Sequence, residues 1–244
     1  MKRTLVITDL TQMPSGNEVC VVGIDEAGNC IRPCCDGGFL KDYLYDADGR
    51  LVIRHQAKVE FDLHPIICQA PHIEDMGFDP DSIRGKGLCN DKEWESVLQR
   101  SSHTSVDSIY EGYLQYNSWV IPGANTKSIA TLSGATIIDI ELTEQSIKPR
   151  ITFKDSTGCR FNRPASDLTL WDRCYKEVKS KNRTRLEVSR ELLNLLQGAD
   201  CLYLRLGLAR PWPQSELSEK RCYLQITGVY TFPDYLGGKS FADF

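Results

Sequence analysis

Two stretches near the end of the chain alternate strictly between apolar and other residues, and this alternation constrains the fold more than any other feature. The apolar members are Leu202, Leu204, Leu206 and Leu208 in the first stretch and Cys222, Leu224 and Ile226 in the second. Successive side chains of a β-strand point to opposite faces, so a period of two with one apolar face is typical of a half-buried strand. We therefore predict two strands joined by a proline-rich loop.

The other face of these two strands carries aromatic, cationic and amide side chains, which we expect to point outward. Its members are Tyr203, Arg205, Arg221, Tyr223, Gln225 and Thr227. Aromatic rings stack on bases, arginine pairs with phosphate, and amides read base edges. With two residues of the loop added, the sequence predicts a ligand-binding set of Tyr203, Arg205, Arg210, Trp212, Tyr223 and Gln225. The alternative is that another part of the protein covers this face and that Trp212 packs into a groove.

Short runs that we predict to be strands recur through the rest of the chain and are separated by turn-forming residues; the first two are rich in β-branched residues. The clearest are residues 4–8, 18–24, 57–63, 135–142, 150–154 and 159–162. Strands so closely spaced favour a small barrel or a sandwich. The predicted fold class is therefore mainly β with helical inserts.

We expect the helical inserts at about residues 70–117 and 171–198. In the first insert, Asn90 or Asp91 is expected to cap a helix that ends at Arg100. Ser105 is expected to cap a second helix that turns Ile109 and Tyr113 inward. In the second insert the apolar side is predicted to comprise Leu192, Leu193, Leu195 and Leu196, with Gly198 as the stop.

A loose repeat relates the two halves of the chain. Residues 25–33 (DEAGNCIRP) and 155–164 (DSTGCRFNRP) each contain a turn, a short strand and then Arg-Pro. Proline cannot donate to a sheet ladder, so each Arg-Pro is expected to end a strand and direct its arginine away from the barrel. Arg32 and Arg163 are therefore secondary candidates for ligand binding. The repeat predicts two related β units, residues 1–125 and 126–244.

Motifs at both ends of the chain are similar to those of a known family. They are residues 22–25 (VGID), 31–33 (IRP), 204–211 (LRLGLARP) and 225–234 (QITGVYTFPD). Through them the chain resembles the bacterial dual OB-containing domain family over nearly its whole length. The resemblance implies two OB-like β-barrels in tandem. OB barrels often bind oligonucleotides, which is an analogy at the level of the fold.

The net charge of −4 argues against a chain-wide attraction to nucleic acid, but the charges are distributed unevenly. Residues 148–190 contain twelve basic and five acidic side chains. Local patches rather than totals determine where phosphates bind. The alternative is that this run is a solvated surface.

The composition also bears on compartment and on cofactors. No stretch approaches the ~18–20 apolar residues that cross a bilayer, and the run Leu5-Val6-Ile7 is too short for a signal peptide. We therefore expect a cytoplasmic protein with no membrane partner. The ten cysteines are scattered and include no Cys-x2-Cys pair, so we expect free thiols, no metal and no other cofactor.

Few motifs point to catalysis. The acids Glu74, Asp75, Asp79 and Asp81 admit a divalent cation, although Asp-Pro-Asp is more typical of a turn. Residues 84–87 (RGKG) lack the spacing of a phosphate loop, and no nucleophile elbow is present. The sequence therefore favours a non-catalytic binding module for single-stranded DNA, RNA or a nucleotide-like ligand. A protein-interaction adaptor and, third, a metal-dependent hydrolase remain open as alternatives.

Overall fold

Strands dominate the regular secondary structure, as the alternation predicts. The computed structural model describes residues 1–213 and 218–244. In these residues the strands are β1 Lys2–Gln12, β2 Glu18–Ile24, β3 Cys30–Cys34, β4 Phe39–Leu40, β5 Ala57–Pro65, β6 Asp75–Phe78, β7 Arg84–Leu88, β8 Ser102–His103, β9 Trp119–Val120, β10 Ile129–Ser133, β11 Thr136–Leu142, β12 Pro149–Lys154, β13 Arg160–Pro164, β14 Cys201–Leu208 and β15 Cys222–Phe232. The α-helices are α1 Asp91–Arg100, α2 Val106–Tyr110, α3 Leu168–Lys179 and α4 Arg185–Gln197. None of the helices in the described residues is long and apolar enough to cross a membrane.

The first unit is a closed barrel of five strands in the order β1-β2-β3-β6-β5, with β5 returning to β1. Strand β1 is long enough to pair with β5 through its first half and with β2 through its second half. All pairs in the ring are antiparallel except β3 with β6. Strands β4 and β7 extend the barrel at its edges. Strand β7 contains the RGKG run, which is therefore a strand rather than a loop.

The second unit repeats this order as a half-barrel. Strands β10 and β11 together correspond to β1, since β10 pairs with β14 and β11 pairs with β12. Strand β12 pairs with β13, and the residue that follows β13 makes a parallel bridge from Ala165 to Ile226 of β15. Each unit also carries a bulge in its first strand, directly before Asp9 in one and Asp139 in the other.

The repeat in the sequence corresponds to a repeated hairpin. In β2–β3, the Asp25 amide donates to Asn29 O and the Gly28 amide donates to Asp25 O. In β12–β13, the Asp155 amide donates to Cys159 O and the Gly158 amide donates to Asp155 O. Both glycines have a positive φ, +87° and +81°, which a residue with a side chain rarely adopts.

The first helix forms where the sequence predicts it. Asn90 is the N-cap and forms a reciprocal capping box with Glu93, which satisfies two amides that the helix leaves free. The helix ends at Arg100, and it buries Trp94.

The second helix is also capped as predicted, by Ser105, but its buried face differs. It ends at Tyr110, because Glu111 turns into the left-handed region at φ 53°. Tyr110 is therefore the buried tyrosine, and the prediction for Tyr113 is wrong.

Residues 171–198, the second predicted helical insert, contain most of α3 and all of α4. Helix α4 ends before Gly198, as predicted, and packs against β11. Its buried leucines are Leu192 and Leu196, which lie four residues apart on one face. Leu195 is exposed, contrary to the prediction.

The boundary between the two units lies earlier in the chain than residue 125. Strands β8 and β9 lie within residues 1–125 of the sequence-based division, yet they pair with β10 and β15 of the second unit. Helix α1 connects the two sheets. Residues 122–125 follow β9, and the Gly123 amide among them donates to Ala70 O.

A small aromatic cluster packs the two units against each other. Trp94 of α1 contacts Tyr230 of β15 edge to face, with ring centroids 4.9 Å apart. Tyr203 and Leu98 belong to the same buried cluster. The Tyr230 hydroxyl donates to Thr8 O of β1 at 2.6 Å. The face of β14 and β15 that the alternation predicts to point outward is therefore largely covered by the first barrel.

Candidate ligand-binding cleft

A cavity of about 590 Å³ lies between the two units, and we call it the interbarrel cleft. On the first-barrel side its lining includes Asp9, Thr11, Cys20, Val22, Arg32 and Cys34. On the second-barrel side its lining includes Ile129, Lys148, Gly207, Leu208, Arg210, Trp212, Gln225 and Thr227. The cleft is therefore built on the outer face of β2–β3 and closed by the second unit.

Strand alternation explains why β2 contributes to the cleft. Val19 and Val21 belong to the first-barrel core. Cys20 and Val22 alternate with them and line the cleft, and Val19, near the start of the strand, is also part of the lining. A single strand thus supplies both the barrel interior and the cleft wall.

One carboxylate, that of Asp75, joins two arginines of the cleft wall that come from the two units. Arg32 donates from Nη1 to Asp75 Oδ1 at 2.8 Å, and Arg210 donates from Nη1 to Asp75 Oδ2 at 2.7 Å. Arg32 is buried, whereas the Arg210 side chain is 48% exposed. Arg32 also donates from Nη2 to Ser128 Oγ at 2.9 Å. The network orients Arg32 from two sides and leaves much of Arg210 accessible.

His72 packs against this network in its neutral form. Its Nδ1 lies 3.3 Å from Arg32 Nη1, and because arginine only donates, this nitrogen accepts. Burial lowers the pKa of His72 to about 4, and the neighbouring charges of Arg32 and Arg210 lower it as well.

Cys34 of the cleft is a poor nucleophile. Burial, followed by the charge of Asp75, raises the pKa of Cys34 to about 12, so its thiol stays protonated at neutral pH. Its Sγ lies 3.8 Å from Arg210 Nη2. All ten cysteines are free thiols in the structure.

The acidic residues that the sequence suggests for a cation site instead form hydrogen bonds and ion pairs with other residues of the protein. Glu74 accepts from the amide and the hydroxyl of Ser128 at 2.7 and 2.8 Å. Asp75 bridges the two arginines, and Asp79 caps a 3₁₀ turn through the Asp81 amide. Within residues 1–213 and 218–244, no three His, Cys, Asp or Glu side chains come together in a group that could hold a metal ion.

Four of the eight predicted site residues line the cleft. They are Arg32, Arg210, Trp212 and Gln225. Trp212 is 69% exposed and therefore does not pack into a groove. Its backbone forms an antiparallel bridge with Arg221, which anchors the loop while the ring stays accessible.

Two of the predicted residues are not on an exposed face. Tyr203 is buried in the aromatic cluster, and Arg205 is completely buried. Arg205 donates to Asp9 Oδ2 and to Thr131 Oγ1, both at 2.9 Å. The sequence-based placement is wrong for these two, because alternation separates the faces of a strand without showing what covers them.

The remaining two lie away from the cleft. Tyr223 pairs with Trp119 of β9, so its neighbour is a strand of its own unit. Arg163 lies within β13 and donates to Ser118 Oγ at 3.0 Å. Arg32 of the cleft wall instead has Asp75 and Ser128 as hydrogen-bond partners, and no local pattern in the sequence marks either of them as a partner of that arginine.

Comparison of the sequence with protein-family models and with curated proteins gives no match.

Proposed function

We propose that the chain is a non-catalytic binding module built from two OB-like barrels, and that the interbarrel cleft holds a single-stranded nucleic acid or a nucleotide-like ligand. OB folds are five-stranded Greek-key barrels that bind oligonucleotides on the face of strands 2 and 3 and on the adjoining loops. The closed ring of the first unit has this strand number, and the second unit repeats its order. The proposal agrees with the fold implied by the resemblance to the dual OB-containing domain family.

The position of the cleft supports binding rather than packing alone. It lies over β2 and β3, the strands that correspond to the ligand face of an OB barrel. In the second unit the equivalent face is formed by β12 and β13, where Arg150 donates to Asn162 Oδ1 at 2.9 Å.

The observation that carries the proposal is the exposed Trp212 ring on the cleft wall. The same wall includes Arg210 and Gln225. An exposed indole can stack on any base, a guanidinium can pair with phosphate, and an amide can pair with a base edge. Pro14, which is exposed, adds apolar surface to the cleft lining. A planar heterocycle that carries phosphate matches this combination.

Fluorescence anisotropy with a labelled oligothymidylate, its RNA counterpart and a labelled mononucleotide tests the proposal. We expect the affinity for the oligonucleotides to fall as salt rises, because neutralised phosphates release counterions. Trp212→Ala should weaken binding by about 1–3 kcal/mol. Because Trp212 is exposed, the same change should leave the melting temperature nearly unaltered.

Matched variants separate a local effect from a general one. Tyr116 is 87% exposed and does not line the cleft, so Tyr116→Ala is the control for the indole. Arg50 is exposed and pairs with Asp48 at 3.4 Å, so Arg50→Gln is the control for Arg210→Gln. Arg210→Gln should reduce the salt slope by about one unit. The proposal is contradicted if no probe binds. It is also contradicted if the affinity changes neither with salt nor in the Trp212→Ala variant.

A further inference from the structure

A second cavity of about 360 Å³ adjoins the interbarrel cleft. The two cavities share the residues Gln12, Met13, Pro14 and Lys148. From these residues the second cavity continues to Trp171, Asp172 and Tyr175 of α3. The two cavities are therefore neighbours on either side of these residues.

The far wall of the second cavity is aromatic and held in place. Trp171 and Tyr175 lie four residues apart, which places both rings on one face of α3. Trp171 Nε1 donates to Ser146 O at 2.9 Å, and this hydrogen bond fixes the indole. Tyr175 is 52% exposed. A ring that is already fixed loses little conformational entropy when a base stacks on it.

Lys148 lies at the junction and supplies a cation. Its Nζ is 5.5 Å from the centroid of the Trp171 ring, and it forms no salt bridge within the described residues. Burial and the charge of Arg150 both lower its pKa, so an anion near its ammonium group would relieve an unfavourable charge. Asp172 also lines the cavity, and burial raises the pKa of its carboxyl group.

We propose that the interbarrel cleft and this second cavity form one path with a stacking subsite at each end, so that the ligand is an oligomeric single strand rather than a single nucleotide. Trp212 marks one end and Trp171 with Tyr175 marks the other. Cationic and amide groups lie between them, at Arg210, Gln225 and Lys148. This inference rests on the proposed function, because it assumes that the cleft binds nucleotides.

The test is the dependence of affinity on ligand length. The probes are thymidine monophosphate and oligothymidylates of about 4, 8 and 12 nucleotides, a range that matches OB-fold site sizes. The wild-type protein should bind more tightly as the length increases, until the path is filled. In the Trp171→Ala/Tyr175→Ala variant the longest probe should bind about tenfold more weakly, while the monophosphate should bind as it does to the wild type.

Further variants guard against a folding defect and against a general loss of charge. Trp171→Phe retains a ring, so it should recover most of the length dependence, and thermal melting monitors every variant. Lys148→Gln should reduce the salt slope for the longest probe by about one unit. The control Lys92→Gln removes an exposed cation from α1, away from both cavities, and should change nothing.

The outcomes distinguish this inference from the proposed function. If the monophosphate binds as tightly as the longest oligothymidylate, or if the double variant binds every probe like the wild type, the extended path is wrong and the cleft site stands. If Trp212→Ala weakens all probes and the double variant weakens only the long ones, both proposals hold. If no probe binds, both fail.

Discussion

Arg205 of the second unit donates from Nε to Asp9 Oδ2 of the first barrel at 2.9 Å, and both side chains are buried. The carboxylate also accepts from the hydroxyls of Thr8 and Thr227, so donors from both units converge on it. Removing either partner of such a buried charge pair destabilises the fold, because the other charge is then left without compensation. The pair therefore holds the two units in one arrangement.

Replacing Asp9 tests this coupling. Asp9→Asn keeps the size of the side chain but removes its charge, and we expect the free energy of unfolding in urea to fall by about 3–5 kcal/mol. Asp139 follows the corresponding bulge of the second unit and is exposed. Asp139→Asn should therefore change the free energy of unfolding by less than about 0.5 kcal/mol. Equal effects of the two changes would show that the buried pair has no special role.

Neutral His72 should make stability depend on pH. Its pKa is lowered from 6.5 to about 4, so between these values the unfolded chain binds a proton that the folded protein excludes. Stability from this residue is present above about pH 6.5 and is lost as the pH falls towards 4, with a slope of up to ~1.4 kcal/mol per pH unit. His72→Gln should remove this slope, whereas His64→Gln should retain it because His64 is exposed. Urea titrations at several pH values measure both.

Gly207 leaves no room for a side chain on the cleft wall. A Cβ atom placed there would lie 2.7 Å from Thr227 Cγ2, so Gly207→Ala must displace Thr227 and disturb its hydrogen bond to Asp9. We expect a loss of about 1–3 kcal/mol in unfolding free energy. Thr227→Ser removes the obstructing methyl group and keeps the hydroxyl, so the double variant should recover most of the loss. A double variant no more stable than Gly207→Ala alone would contradict this explanation.

The thiols should differ widely in reactivity. Cys201 is exposed, whereas Cys174 is buried and burial raises its pKa to about 12. In the folded protein we expect Cys201 to react first with a disulfide reagent, and Cys201→Ser should remove this fast phase. The unfolded protein should titrate with ten thiols. Fewer than ten would indicate a disulfide or a retained metal.

Local sequence patterns correctly predict the elements whose structure depends on residues close to them in the sequence. Strand β2 has the predicted bounds, and α1 begins at the predicted cap Asn90 and ends at Arg100. Strands β6 and β10 were missed, because their residues become extended through pairing with distant strands. Strand identity of this kind depends on tertiary contacts more than on propensity.

The candidate site also combines features that the local sequence predicts with features that depend on distant residues. The residue types of Trp212 and Arg210 and their place in a proline-rich stretch predict a binding role, and both line the cleft. The alternation predicts the correct face of the strand for Arg205. It does not predict that the first barrel covers this face, because that depends on contacts between residues far apart in the sequence. Asp75 lies 135 residues before Arg210, so nothing local in the sequence could pair them.

The carboxylate that Arg32 and Arg210 share has a consequence for how a ligand would enter the cleft. Arg210 already has an anionic partner in Asp75, so a ligand phosphate would compete with Asp75 for the guanidinium. Binding is then an exchange of one anion for another, and the gain is only the difference between two charge-assisted contacts. We expect such an exchange to favour ligands that add stacking to their charge, and to let a bare phosphate leave quickly.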